Sequence, residues 1–266
     1  PELVVCPVAA LGGNPDLAIG NVMGSNLANI GLILGVTALV RPLDVRERVV
    51  WREMPLMLLV TLALYPLAWD GVLSRGDGVL LLFALVAYLI FVFYSVEDEA
   101  PEILGEYEEF MKESDRTTSL VSGTDVLWVI AGSVCLVLGG ICIVEGAVEI
   151  ASSLGISEVV IGLTVVAVGT SLPELATSLV AALRSEADIA VGNVIGSNIF
   201  NVAAILGTAS VVSPLAIPSH VLTRELVVVV AMSLLLFPIL RTRWRIRRWE
   251  GALLLACYVG AVTWLL

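Results

Sequence analysis

The sequence predicts an all-α membrane protein built from two copies of one unit that cross the bilayer in opposite directions. Three observations lead to this prediction: the apolar composition, an internal repeat, and an uneven distribution of Lys and Arg between successive loops. Of the 266 residues, 58% are apolar and only 15% are charged, whereas about a quarter of an ordinary soluble domain is charged. The mean hydropathy is +0.98. This composition excludes a soluble globular domain, a disordered chain and a disulfide scaffold.

The apolar segments are continuous runs long enough to cross a bilayer as helices, and they lack the alternation of membrane β-strands. The predicted spans are 17–40, 53–69, 78–96, 125–150, 158–183, 188–212, 224–240 and 250–266, with a shorter apolar segment at 1–11. One long polar stretch, 97–124, carries nine acidic residues and one Lys between its first residue and Asp115. We interpret it as an acidic linker between a first repeat, 1–96, and a second repeat, 125–266.

The internal repeat is visible in the sequence itself, because residues 1–35 and 173–207 align without a gap and are identical at 19 of 35 positions. A fainter match continues to the pair Gly78 and Gly251. The second copy starts near residue 125, well before Pro173, whereas the first copy starts at Pro1. We therefore expect a helix and a half of the first repeat to precede this sequence.

The basic residues fall into two classes of loop. Twelve of the fourteen lie in four alternate loops, namely 41–52, 97–124, 184–187 and 241–249. The positive-inside rule places these loops in the cytoplasm and the C-terminus outside. Equivalent loops of the two copies then face opposite sides of the membrane. Inverted repeats of this kind are typical of secondary transporters, which hold their substrate near the midplane where the repeats meet.

Two carboxylates lie at equivalent positions in apolar surroundings. Glu2 and Glu174 each follow a Pro, and Pro173 is expected to kink or break its helix. A carboxylate in mid-membrane costs about 2.5–3.5 kcal/mol on insertion scales, and such residues usually mark an ion pathway. The spans 17–40 and 158–183 contain no Lys or Arg. The sequence therefore predicts that a cation neutralises these two acids.

Oxygen-bearing side chains recur every four residues along one helix face in each copy. These are Asn21, Ser25 and Asn29 in the first copy, and Asn193, Ser197 and Asn201 in the second. Amide, hydroxyl and carboxylate oxygens suit calcium or sodium rather than a softer metal. Asn26 and Asn198 lie off this face, and both ion ligation and helix–helix bonding remain open for them. Gly192 and Gly196 form a small-residue pair that would permit close helix approach.

The motifs that contain these residues resemble those of a known family. The segments VGTSLPELATS (168–178) and IAVGNVIGSNIFN (189–201), with their first-copy counterparts, resemble the two alpha repeats of the sodium/calcium exchanger family, in its short prokaryotic form. The resemblance covers nearly all of the chain outside the linker. It implies a ten-helix antiporter with five helices in each repeat, which exchanges calcium for sodium by alternating access in a prokaryotic inner membrane. The expected partners are the two ions and the lipid bilayer, with no cofactor and no nucleic acid, and a monomer is expected.

The resemblance also implies a ligand set. Glu2 and Glu174 would bind both ions, four hydroxyls would add oxygens, and the carbonyl of Ala167 would bind sodium. The complete predicted set is Glu2, Ser25, Asn29, Ala167, Thr170, Ser171, Glu174, Ser197 and Asn201. Several relatives carry Asp where this chain has Asn201, so potassium dependence is not expected here.

Three alternatives compete with a sodium-coupled antiporter. A proton-coupled divalent cation exchanger would use the same architecture with differently placed acids. A channel would conduct without a counter-ion. An intramembrane hydrolase would need a nucleophile–base set, and the single histidine, His220, lies in a loop. An enzyme is therefore not expected.

Overall fold

The computed structural model describes residues 2–12, 15–97, 167–241 and 244–265, together with scattered helical positions between 124 and 153. In chain order the elements are α1 (Glu2–Leu11), α2 (Pro15–Ala28), π1 (Asn29–Ile33), α3 (Leu34–Val40), β1 (Leu43–Asp44), π2 (Val49–Glu53), α4 (Met54–Leu67), β2 (Val72–Leu73), α5 (Arg75–Glu97), α6 (Ala167–Thr170), α7 (Leu172–Leu183), α8 (Ala187–Phe200), π3 (Asn201–Leu206), α9 (Gly207–Val212), β3 (Leu215–Ala216), π4 (Val221–Glu225), α10 (Leu226–Arg241), β4 (Arg245–Ile246) and α11 (Arg248–Leu265). Nearly all of the predicted linker lies outside the described residues, as do about half of the span 125–150 and the first nine residues, 158–166, of the span 158–183.

The described part contains five helices that are long and apolar enough to cross a membrane. They are Ala18–Val40, Val49–Leu67, Arg75–Tyr94, Ala187–Val212 and Val221–Arg241. They match five of the eight predicted spans, and a multi-pass membrane protein is confirmed. The second span begins four residues earlier than its hydropathy indicated, because Arg52 is polar yet helical. A chain entering a bilayer keeps its backbone hydrogen bonds inside the helix whatever its side chains are.

The duplication is visible element by element. The series α2–π1–α3 has its counterpart in α8–π3–α9, π2–α4 in π4–α10, and α5 in α11. Even the wide π-helical turns recur, because π1 begins at Asn29 and π3 begins at the equivalent Asn201. Such π-helical segments are rare and frequently mark functional sites. The repeat seen in the sequence is thus a repeat of structure.

Two short antiparallel sheets join the copies. Strand β1 pairs with β4, with Leu43 opposite Ile246, and β2 pairs with β3, with Leu73 opposite Leu215. Each sheet therefore joins two loops that the basic-residue count assigns to the same side of the membrane. The pairing agrees with an inverted repeat, in which equivalent loops face opposite sides.

Glycines allow the copies to pack closely at two equivalent places. A Cβ at Gly251 would lie 2.8 Å from the carbonyl oxygen of Gly35, where α11 crosses α3. At the symmetry-related crossing of α5 and α9, a Cβ at Gly78 would lie 2.7 Å from the carbonyl oxygen of Gly207. Small residues at helix crossings bring backbones into van der Waals contact, which is the main source of helix association in a bilayer. Backbone contact therefore joins the two repeats at both crossings.

We expect Gly251→Ala to lower the melting temperature of the purified protein by several degrees. The added methyl would collide with backbone of α3, and overpacking of this kind costs about 1–3 kcal/mol. Thermal unfolding in detergent, followed by circular dichroism, measures the effect. Gly260→Ala is the matched control in the same helix, because no described atom lies within 4 Å of a Cβ there. Equal melting temperatures for the two variants would contradict close packing at Gly251.

Candidate cation site

The predicted helix break is present. Helices α6 and α7 are separated by Ser171, whose backbone dihedral angles are −87° and 4°, and Pro173 occupies the first turn of α7. Proline fits there because the first turn of a helix needs no N–H donor for its ladder. Glu174 therefore lies in the first turn of α7, where the helix dipole favours negative charge. Its counterpart Glu2 likewise lies in the first turn of its helix, α1.

The two carboxylates border one cavity of about 420 Å³. The polar side chains that line it are Glu2, Glu174, Asn193, Ser197 and Asn201. Leu85 and Tyr88 of α5 contribute to its apolar wall. Four of the nine predicted ligands thus lie around a common space. Gly192 and Gly196 also face this cavity, and no described atom lies within 4 Å of a Cβ built on either, so the close helix approach expected from this pair is not seen among the described residues.

Buried oxygen atoms that lack a hydrogen-bond partner concentrate among the predicted ligands. Within the described residues, the fully buried side-chain atoms without a partner include Ser25 Oγ, Asn29 Oδ1, Ser171 Oγ and Glu174 Oε2. An unmet buried acceptor costs about 1–3 kcal/mol, and such groups are rare in native structures. Four of them in one predicted ligand set fit a place where a cation binds.

The oxygens of Thr170 and Ala167 already take part in hydrogen bonds within the protein. The Thr170 hydroxyl lies 3.3 Å from Asn21 Oδ1 and 3.2 Å from the carbonyl oxygen of Ala167, and both atoms are placed to accept its hydrogen bond. That carbonyl also accepts a bond from the backbone N–H of Ser171 at 3.2 Å. Sodium ligation by Ala167 would therefore have to share or displace one of these bonds.

Four asparagines join the two repeats at the site. Asn29 Nδ2 donates to Asn198 Oδ1 at 2.9 Å, and Asn201 Nδ2 donates to Asn26 Oδ1, also at 2.9 Å. The repeat relates Asn29 to Asn201 and Asn26 to Asn198, so these are two copies of one bond. The amide of Asn26 also reaches the backbone carbonyl of Asn198 at 3.4 Å. Of the two roles that the sequence left open for Asn26 and Asn198, the structure displays helix–helix bonding.

The oxygen-bearing side chains at Asn21, Ser25 and Asn29, and at Asn193, Ser197 and Asn201, form one row in each copy, here called the oxygen stripe. The first residue of each stripe hydrogen-bonds to the helix that carries the carboxylate. Asn21 Nδ2 donates to Cys6 Sγ at 3.3 Å, and the equivalent Asn193 Nδ2 donates to Ser178 Oγ at 3.1 Å. Asn193 also donates to the backbone carbonyl of Glu174 at 3.3 Å. Cys6 and Ser178 occupy equivalent positions in the repeat. The spacing of the stripe predicted that all three positions face the ion. In the structure, Asn21 and Asn193 instead make hydrogen bonds to α1 and α7 and hold these helices in place.

The charges and donor types suit an alkali or alkaline-earth cation. None of the described residues that line the cavity is Lys or Arg. Nor do the described residues contain a group of three or more His, Cys, Asp or Glu side chains that could hold a metal ion. Two carboxylates among neutral amide and hydroxyl oxygens form a set of hard oxygen donors in which only two groups carry a negative charge. That set fits a cation that enters and leaves better than a permanently bound transition metal.

Comparison with known proteins shows the family. The model of a family described as sodium/calcium exchanger protein matches residues 1–94 and 124–266. The chain belongs to the sodium/calcium exchanger family. CaxA of Alkalimonas amylolytica, named as a candidate antiporter, is 40% identical over 98% of this chain and 82% of its own length. The sodium/calcium exchanger MaX1 of Methanosarcina acetivorans is 33% identical over 98% of this chain and 83% of its own.

A solved structure of this family matches the fold. The sodium-calcium exchanger NCX_Mj, soaked with Na⁺ and Ca²⁺, superposes with a TM-score of 0.77 at 33% identity. The match covers 100% of this chain and 82% of that one. The all-α exchanger fold implied by the resemblance is therefore confirmed, and this chain is a member of a transporter family.

Proposed function

We propose that this exchanger moves calcium in one direction and sodium in the other by alternating access. The observation that carries the proposal is the pair of symmetry-related carboxylates, Glu2 and Glu174, on one cavity between inverted repeats. A divalent cation balances two carboxylates, and so do sodium ions that share the same oxygens. Competition for one set of ligands couples the two fluxes. Rocking of one repeat against the other would then open that set to each side in turn.

The ligand set proposed for these ions is the predicted one. Four of its members, Ser25, Asn29, Ser171 and Glu174, supply buried oxygens that have no hydrogen-bond partner among the described residues. Glu2, Ser197 and Asn201 line the cavity with Glu174. Ala167 and Thr170 are the first and last residues of the short helix α6, which precedes the helix break, and they would contribute oxygens to sodium after local rearrangement.

Exchange can be tested directly with the full-length protein in lipid vesicles. Calcium uptake should be rapid when the vesicles contain sodium and the outside solution does not. It should fall to background when both sides contain equal sodium, because antiport requires a counter-ion gradient. Radioactive calcium uptake after rapid filtration is the measurement.

The same assay separates the competing functions. Uptake that is independent of internal sodium but driven by an outward proton gradient would favour proton-coupled exchange. Uptake that needs neither gradient would favour a channel. Either result would contradict sodium-coupled exchange.

The proposed orientation places the linker 97–124, which joins repeats 1–96 and 125–266, in the cytoplasm and the C-terminus outside. The protein is proposed to be a monomer in the inner membrane. The basic loops support this orientation, and Arg46 adds a detail. Its guanidinium lies 2.7 Å from the carboxylate of Asp188 in the first turn of α8, so the loop 41–52 lies beside the start of the helix that follows the loop 184–187.

Labelling of introduced cysteines tests this orientation. In a variant without native cysteines, Trp69→Cys should react with an impermeant maleimide on intact spheroplasts, because Trp69 is 83% exposed in the turn after α4, at the end of the span that the proposed orientation places outside. Glu47→Cys, in the basic loop 41–52, should react only after permeabilisation. The opposite pattern would mean that the proposed orientation is inverted.

A further inference from the structure

The four asparagines at the repeat boundary form two crossed bonds. Each bond joins one predicted ligand to one residue outside the oxygen stripe, Asn29 to Asn198 and Asn201 to Asn26. All four side chains are at least 95% buried. In both bonds the predicted ligand donates through its amide nitrogen and its partner accepts through its amide oxygen. The arrangement is therefore directional as well as symmetric.

That direction matters because an amide has two unlike ends. A carboxamide presents an oxygen acceptor on one side and an NH₂ donor on the other, and only the oxygen can bind a cation. If Asn29 rotated by half a turn, it would aim hydrogens at the ion. The bond to Asn198 disfavours that rotation, since two amide oxygens would then meet. Asn29 Oδ1 is left buried without a hydrogen-bond partner among the described residues, as a cation ligand should be.

We propose that Asn26 and Asn198 are positioning residues that hold the amide oxygens of Asn201 and Asn29 toward the transported ion. The proposal rests on the proposed function, since it takes Asn29 and Asn201 as ligands. It goes further by assigning a role to the two asparagines of the motif that are not ligands. Each repeat thereby orients a ligand of the other repeat.

The crossed arrangement predicts which substitutions interact. Asn198→Leu removes the acceptor of Asn29 at similar volume, and Asn26→Leu does the same for Asn201. Each should raise the calcium concentration for half-maximal uptake by about three- to tenfold, the usual worth of one hydrogen bond. The effect of Asn198→Leu should vanish in an Asn29→Ala background, where no amide remains to be oriented, and it should persist in Asn201→Ala. Asn26→Leu should show the reverse pattern.

The experiment is this crossed double-mutant cycle, measured as half-maximal calcium concentration in sodium-loaded vesicles containing the full-length protein. Ser233→Ala is the control for loss of a buried hydrogen bond, because its hydroxyl donates only within its own helix, to Val229 O at 2.8 Å. Asn198→Asp keeps a side-chain oxygen that can accept the hydrogen bond from Asn29, so it should not raise the half-maximal calcium concentration. This variant tests the positioning role even if Asn198→Leu folds poorly.

Coupling within both crossed pairs and additivity in the other combinations would support the positioning role. Additive effects everywhere would overturn it, and so would a loss of thermal stability without a change in half-maximal concentration, because helix–helix bonding alone predicts both. Failure of the proposed function looks different. In that case Glu174→Gln would leave sodium-driven uptake intact, whatever the asparagine variants do.

Discussion

Glu174→Gln is expected to abolish sodium-driven calcium uptake while leaving the protein folded. The amide keeps the size of the carboxyl but removes one of two negative charges on the cavity. Loss of one partner of a buried charge pair costs about 2–5 kcal/mol, so uptake at a fixed calcium concentration should fall by at least about thirtyfold. Uptake into sodium-loaded vesicles measures the loss. Glu2→Gln should behave alike, since the repeat makes the positions equivalent.

A binding measurement separates loss of the site from loss of the fold. A ligand raises the melting temperature of the state that binds it, so calcium should stabilise the wild-type protein and not the Glu174→Gln variant. Without calcium the variant should melt no earlier than wild type, because its carboxylate Oε2 has no hydrogen-bond partner among the described residues to lose. A calcium-dependent rise in melting temperature equal to that of wild type would show that Glu174 is not a ligand.

The sequence could predict those parts of the fold that local chemistry and the repeat determine. Apolar length sets the spans, and the proline before Glu174 sets the break at Ser171. Duplication requires that the two carboxylates be equivalent, and the structure places both on one cavity. None of these inferences needs knowledge of which helix faces which.

Contacts between the repeats could not be predicted in this way. The bond from Asn29 to Asn198 depends on how two helices about 170 residues apart cross, and spacing within one helix does not determine that. The glycines show the same limit. The motif pair at Gly192 and Gly196 suggested close packing, yet among the described residues the tight crossing is at Gly35 and Gly251. Gly31 and Gly35 have the same four-residue spacing, and spacing alone does not show which such pair meets a neighbouring helix. Two-residue strands are likewise too short to show an alternating pattern.

The π-helical turns explain part of the difference. A regular α-helix keeps residues four apart on one face, but π1 and π3 begin at Asn29 and Asn201 and widen the helix there. The wider turn alters the direction of the side chains that follow. The stripe expected from α-helical spacing therefore ends at these asparagines, where the crossed bonds between the repeats form.

The charge requirement of the site leads to a second strong prediction, in which Asn201→Asp partly restores the Glu174→Gln variant. Asn201 lines the same cavity as Glu174, so an aspartate there returns the number of carboxylates to two. The new carboxylate cannot donate to Asn26 Oδ1 as the Asn201 amide does, so we expect the recovery to be partial. We expect sodium-driven uptake in the double variant to exceed that of Glu174→Gln by about tenfold or more, a recovery of part of the lost charge interaction.

The neutral double variant Glu174→Gln with Asn201→Leu controls for size and polarity at the same position, and it should stay at background. Rescue by Asp and not by Leu would mean that the cavity requires charge facing the ion, rather than the particular geometry of one glutamate. Acidification should weaken the rescue, because a proton that neutralises the new carboxylate removes the charge that restored uptake. Equal uptake by the two folded double variants, at every pH tested, would mean that residue 201 does not face the transported ion.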